Sequence, residues 1–206
     1  DRFFNPQHYN LEKVGRFKTN KKLSLAIRIT DQIAASDVKS GKKVFVSQGE
    51  LIDKDAAWAI QNAGINSVDV LVEDKVVRVV GNNRVDLKAY AKLNPEEFGI
   101  TELVYLPLLD EILKANKGDE EAIKAAIKEN VRKLEDRQIT LDDIIATVSY
   151  HLNLIDGIGE TDEIDNLSMR RVATCGELLR DEFRRGMTKL QTQVRESLQS
   201  RDLTDI

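Results

Sequence analysis

Ile164-Asp165, followed by the paired guanidinium groups of Arg170 and Arg171, is where this chain gathers side chains able to read a nucleobase. A carboxylate accepts two hydrogen bonds side by side, which matches the donor pair on the Watson–Crick edge of guanine. A guanidinium suits either the acceptors of guanine or a flanking phosphate. Such readout needs an unstacked base, because a paired guanine hides that edge. The same residues also fit a plainer arrangement, in which Asp165 caps the following helix or forms an ion pair with Arg170 or Arg171. Spacing leaves both open.

Other chemistry finds little support. His8 and His151 are far apart in sequence, and neither belongs to a metal-ligand spacing such as HExxH. His151 falls near the end of an amphipathic helix, where a structural or helix-dipole role fits. No serine occupies a GxSxG elbow, and Cys175 lies on an apolar stripe, where it reads as a small core residue. Gly157-Ile158-Gly159 lacks the third glycine of a dinucleotide loop, and no GxxxxGK follows elsewhere. The carboxylates Asp156, Glu160, Asp162, Glu163 and Asp165 miss the ligand order of a calcium loop. We expect no catalytic residue and no metal site in this stretch.

The elements that must position these groups are mainly helical, an α+β class with a small central β-hairpin or barrel-like subdomain. Residues 1–40 read as a basic helical segment, in which Asn10 caps a helix carrying Leu11, Val14 and Phe17 on one face. Residues 41–94 form a β-rich subdomain. There, Lys43-Val44-Phe45-Val46 is a strand, Asp53 to Asn62 is a short helix ended by Gly64, and Glu73-Asp74-Lys75 joins two β-branched runs in a hairpin. Residues 95–160 are acidic and helical. Asp119 caps a helix with Ile123, Ile127, Val131 and Leu134 facing inward, and Thr140 with Asp143 makes a capping box ahead of Ile144, Ile145, Val148 and Leu152. Residues 161–206 hold the acidic turn and a long helix whose stripe of Val172, Cys175, Leu179, Phe183, Met187, Leu190, Val194 and Leu198 is expected to be packed.

Against 31 Lys and Arg stand 35 Asp and Glu, a net charge of −4 that does not by itself announce a nucleic-acid binder. The charges are unevenly spread. Lys13, Arg16, Lys18, Lys21, Lys22 and Arg28 make the first segment basic, whereas residues 110–165 are dominated by carboxylates, which suggests two surfaces with different partners. The single cysteine excludes an internal disulfide framework and fits a reducing compartment. No secretory leader pattern opens the chain, and no apolar stretch approaches the roughly 20 residues that span a bilayer, so the expectation is a cytoplasmic protein without membrane contact.

Two ordered motifs carry a family resemblance. Tyr9-Asn10-Leu11-Glu12-Lys13-Val14-Gly15-Arg16-Phe17-Lys18-Thr19-Asn20-Lys21-Lys22-Leu23 resembles the YxLxxVGRxKxNKKL run of bacterial RNA polymerase β subunits, and Ile164 to Arg171 with Gly176-Glu177-Leu178 resembles their IDxLxxRR…GEL segment. Val79-Val80-Gly81-Asn82-Asn83, Ile139 to Ala146 and Glu182 to Met187 extend the likeness, so nearly the whole chain is covered as an internal slice of a much longer subunit. The resemblance implies the C-terminal part of the lobe and the start of the returning protrusion. It further implies that Ile164, Asp165 and Arg170 line a pocket for a non-template-strand guanine in the transcription bubble, with Arg171 and Arg16 as further nucleic-acid contacts. The implied partners are DNA, the other polymerase subunits and transcription factors including sigma. The implied enzyme is a Mg²⁺-dependent nucleotidyltransferase whose metal and catalytic residues lie elsewhere in the assembly. An alternative is a module that docks initiation or elongation factors, with the acidic 110–135 segment as its partner face. The chain departs from the family at Asn166, Ser168, Met169, Ala173, Thr174 and Cys175. The arginine missing at Ala173 puts one strand contact in doubt, while the guanine-reading pair is retained.

Overall fold

The computed structural model describes residues 4–5, 9–41, 43–116, 119–170 and 172–200, in two compact units, Asp1–Thr161 and Asp162–Ile206. In the first unit, helix α1 (Glu12–Leu23) starts where the Asn10 side chain accepts the Glu12 amide at 2.8 Å, and Ser24 separates it from α2 (Leu25–Ile29). Strands β1 (Ile33–Ala34), β2 (Val38–Ser40) and β3 (Lys43–Val46) follow, β2 and β3 forming an antiparallel hairpin. Asp53 caps α3 (Lys54–Asn62) by accepting the Ala56 amide at 2.7 Å. Gly64 then turns the chain at φ 80°, a left-handed geometry that a side chain resists.

The β-branched runs form β4 (Ser67–Val72) and β5 (Lys75–Val80), whose register pairs Val72 with Lys75 and leaves Glu73 and Asp74 as the turn. Glu73 takes φ 52° there, as a two-residue hairpin loop demands of its first residue. Strand β1 adds to β4, giving the order β1-β4-β5. A further pair joins β6 (Arg84–Val85), which precedes helix α4 (Leu87–Ala91), to β7 (Val104–Tyr105). Helices α5 (Leu106–Ala115), α6 (Glu120–Leu134) and α7 (Leu141–Ile155) complete the first unit, and α8 (Cys175–Ser200) fills most of the second. The result is an α+β fold with a helical majority, its small antiparallel sheets open and separate.

Two larger apolar cores and a small one, of Leu23, Ala146 and Tyr150, hold the first unit. Of the larger two, one joins Leu25, Ile29, Ile52, Ile60, Val70 and Val79; the other joins Val85, Leu87, Val104, Leu109, Ile127 and Leu134. Helix α6 follows its sequence pattern. Ile127 and Leu134 are fully buried, Ile123 and Val131 pack against the same core, and Lys128 and Lys133 stay exposed. Asp119 accepts the Ala122 amide at 3.0 Å to start it, and Glu120 pairs with Lys124 at 2.8 Å one turn in. Fully burying a side chain of this size contributes about 1.5–3 kcal/mol.

Helices α1 and α7 turn inward faces that the sequence pattern did not single out, and the expected packing of the α8 stripe is corrected. On α1, Val14 and Phe17 are exposed while Arg16, Asn20 and Leu23 turn inward. On α7, Ile144, Ile145, Val148 and Leu152 are exposed while Asp143, Ala146, Tyr150 and Asn153 are buried. The physical reason is shared: α1 and α7 meet through the polar cluster of Arg16, Asn20, Asn82 and Asp143 and through an apolar contact of Leu23 with Ala146 and Tyr150, so each helix turns a mixed stripe inward. The stripe of α8 is likewise exposed, with Leu179 at 74% and Phe183 at 70%, and Cys175 is exposed rather than a core residue.

Candidate nucleic-acid interface

Within the second unit, a turn at Ile164-Asp165 is closed by the Asn166 amide donating to the Glu163 carbonyl at 3.2 Å, and a 3-10 helix, Leu167–Met169, follows. Arg170 folds back onto the turn, its Nε donating to the Ile164 carbonyl at 2.8 Å. Neither terminal nitrogen of Arg170 makes a hydrogen bond or ion pair among the described residues. Asp165 is exposed and makes none either, so in this structure it neither caps a helix nor pairs with Arg170. Ile164 stands beside it, 76% exposed. Arg171 lies outside the described residues. The arrangement offers a carboxylate whose acceptor sites no described residue occupies, an apolar side chain next to it, and a cation on one braced turn.

Helix α8 has its own start signal. The Thr174 amide donates to Glu177 Oε2 at 2.9 Å and the Glu177 amide donates to Thr174 Oγ1 at 3.4 Å, a reciprocal capping box. The Thr174-x-x-Glu177 spacing carried that signal in the sequence, and it leaves Asp165 without a capping duty.

Arg16 is found elsewhere, 1% exposed in the interior of the first unit. Its Nη1 donates to both carboxylate oxygens of Asp143 at 3.0 and 2.9 Å, and its Nε donates to the Asp136 carbonyl at 3.0 Å. Its Nη2 lies 3.0 Å from Asp136 Oδ1 and donates to the Gln138 carbonyl. Arg84 Nη2 reaches the same Asp136 Oδ1 at 2.6 Å, and Asn82 Nδ2 donates to Asp143 Oδ1 at 3.1 Å and to Asn20 Oδ1 at 3.2 Å. The expectation that Arg16 contacts nucleic acid is therefore corrected: two buried carboxylates require compensation, and Arg16 is committed to them.

Among the described residues, no group of three or more His, Cys, Asp or Glu side chains could hold a metal ion, and no helix is long and apolar enough to cross a membrane.

No family model matches the chain. The DNA-directed RNA polymerase subunit β of Clostridium acetobutylicum is 48% identical over 202 residues, which cover 97% of this chain and 16% of that protein. The chain belongs to the RNA polymerase β-subunit family. The β subunits of Clostridium tetani and Clostridium beijerinckii are each 46% identical, over 99% and 97% of this chain and 17% and 16% of their own length. The chain thus spans only a small part of the β subunits it matches.

The residues that sequence reasoning missed in this β-subunit stretch are Asn82, Arg84, Asp136 and Asp143 as partners of Arg16. Asp143 is visible in the sequence as half of a capping box with Thr140, and the structure gives it that role as well, its Oδ2 accepting the Thr140 amide at 2.9 Å. Burial pushes the Asp143 carboxyl up, but Arg16, the Thr140 amide, Arg84 and Asn82 outweigh it and hold its pKa below the ordinary value. At Asp136 burial prevails over Arg84 and Arg16, and the pKa is raised. Because the folded-state pKa of Asp143 lies below the unfolded one, its stabilisation is complete above an unfolded value of about 3.9 and is lost as pH falls through the folded value. Asp143→Asn should therefore destabilise the first unit most near neutral pH, with the difference from the parent shrinking in acid. Urea denaturation of both proteins from about pH 7 to about pH 2 checks this, and a gap that stays constant across that range would reject it.

Proposed function

We propose that the chain forms part of the lobe and returning protrusion of a bacterial RNA polymerase β subunit, and that its 164–171 turn receives an unstacked guanine of the non-template strand. The observation that carries this reading is the exposed carboxylate of Asp165, without a hydrogen-bond or ion-pair partner among the described residues, on a turn braced by Arg170. Two carboxylate oxygens match the two donors of guanine's Watson–Crick edge, Ile164 supplies an apolar surface beside them, and the terminal nitrogens of Arg170 are open to a phosphate or a base acceptor. In the whole enzyme, which we place in the cytoplasm, the partners are DNA, the other polymerase subunits and transcription factors including sigma. Mg²⁺-dependent nucleotidyl transfer is assigned to residues outside this stretch.

The test is Asp165→Ala in the assembled polymerase, read as bubble-complex lifetime with each of the four bases at the contacted non-template position. Guanine complexes should shorten by about 5- to 150-fold, the equivalent of about 1–3 kcal/mol for a bidentate base contact, while the other three change little. Equal shortening for every base would reject the guanine pocket. A second reading, docking of transcription factors, is favoured by the exposed apolar stripe of α8. A steep salt dependence of strand binding supports phosphate contact, and docking alone does not require one.

A further inference from the structure

The path from α7 to the end of the first unit is held at successive residues. Asp156 Oδ1 lies 2.5 Å from Lys75 Nζ. The Gly157 amide donates to the Leu154 carbonyl at 3.2 Å, with φ 78° at Gly157, and the Ile158 amide donates to the Asn153 carbonyl at 2.9 Å while its side chain sits in the apolar core. Tyr150 makes the last attachment. Its hydroxyl accepts the Glu160 amide at 2.9 Å and donates to the Glu160 carbonyl, so one side chain satisfies both backbone groups of that residue. Gly159 lies flat on the Tyr150 ring at φ 101°, and a Cβ there would come within 2.9 Å of ring carbon Cε2. The ring itself is held, 7% exposed, with Lys22 Nζ 5.1 Å and the Arg28 guanidinium 5.4 Å from its centroid.

We propose that Tyr150 is a positioning residue for the base-reading turn. By clamping Glu160, it fixes where the backbone leaves the first unit, and only Thr161, Asp162 and Glu163 separate that point from Ile164. Four residue steps extend at most roughly 14 Å, so a clamped Glu160 confines the start of the turn, whereas a strap released back to α7 would roughly double that reach. This inference rests on the guanine reading above. It adds that base preference depends on a hydroxyl that touches no nucleic acid.

The experiment uses the full-length subunit in assembled polymerase, with Tyr150→Phe, Gly159→Ala and Asp165→Ala compared in parallel. Tyr150→Phe keeps the ring and removes only the clamp, so amide exchange at Glu160 should quicken by roughly 2- to 10-fold. Guanine preference in bubble lifetime should fall several-fold, by less than in Asp165→Ala. Gly159→Ala, which lifts the strap from the other side, should act in the same direction. If Asp165→Ala removes the guanine preference but Tyr150→Phe leaves it intact, the positioning role is overturned and the guanine reading stands. If Asp165→Ala has no base-specific effect, the guanine reading fails and this role for Tyr150 fails with it. A fall in lifetime that is equal for all bases in Tyr150→Phe would show a purely structural tyrosine and overturn the proposal.

Discussion

Arg16→Ala is expected to destabilise the first unit by about 3–5 kcal/mol, the range for removing one partner from a buried charge network. The guanidinium bridges Asp143 and Asp136, and its loss strands two carboxylates that have 4% and 8% side-chain exposure. Arg84 still reaches Asp136, while Asp143 would keep only neutral donors, the Asn82 amide and the Thr140 hydroxyl and backbone N–H, with no guanidinium in hydrogen-bond contact. Lysine cannot supply the planar fork that grips Asp143 with one nitrogen while the others meet Asp136 and Gln138, so Arg16→Lys should recover little of the loss. Equilibrium urea unfolding measures both variants. A loss under about 1 kcal/mol for Arg16→Ala would mean that water reaches the carboxylates and that the network is not closed.

The second large effect contrasts two residues that look alike on a helical wheel. Leu134→Ala on α6 should remove about 2–5 kcal/mol, because a fully buried leucine leaves a cavity among Val104, Leu109 and Ile127. Val148→Ala on α7 should change stability by no more than about 0.5 kcal/mol, since that side chain is 55% exposed. Comparable losses at the two positions would show that the α7 face is buried in solution.

That contrast also marks how far the sequence could be read. Local rules were legible wherever both partners lay within a few residues: the Glu73-Asp74 turn, the Asp119 cap, the Thr140–Asp143 box and the buried stripe of α6. The acidic turn could be found from its residue types, but the freedom of the Asp165 carboxylate could not, because it depends on Arg170 bonding to a backbone carbonyl instead. The inward faces of α1 and α7 were not legible, for a physical reason. Arg16, Asn20 and Leu23 keep helical spacing as faithfully as Val14 and Phe17, and the choice between the two stripes is made by Asp136 and Asp143, more than a hundred residues away. The Tyr150 clamp was hidden too, since a phenol bound to backbone atoms leaves no pattern of paired side chains.

The separation within the Arg16 network has a consequence for how the polypeptide is made. Arg16 is bound to groups 120 and 127 residues further along the chain. At a synthesis rate of about 5–20 residues per second, Asp143 follows Arg16 out of the ribosome after roughly 6–25 seconds. Through that interval α1 has no carboxylates to receive its arginine, while Val14 and Phe17 on its other face remain open to solvent. The nascent chain must therefore carry α1 undocked from α7 until α7 emerges, which makes closure of the first unit a late, non-local step and the waiting segment a natural client for a chaperone.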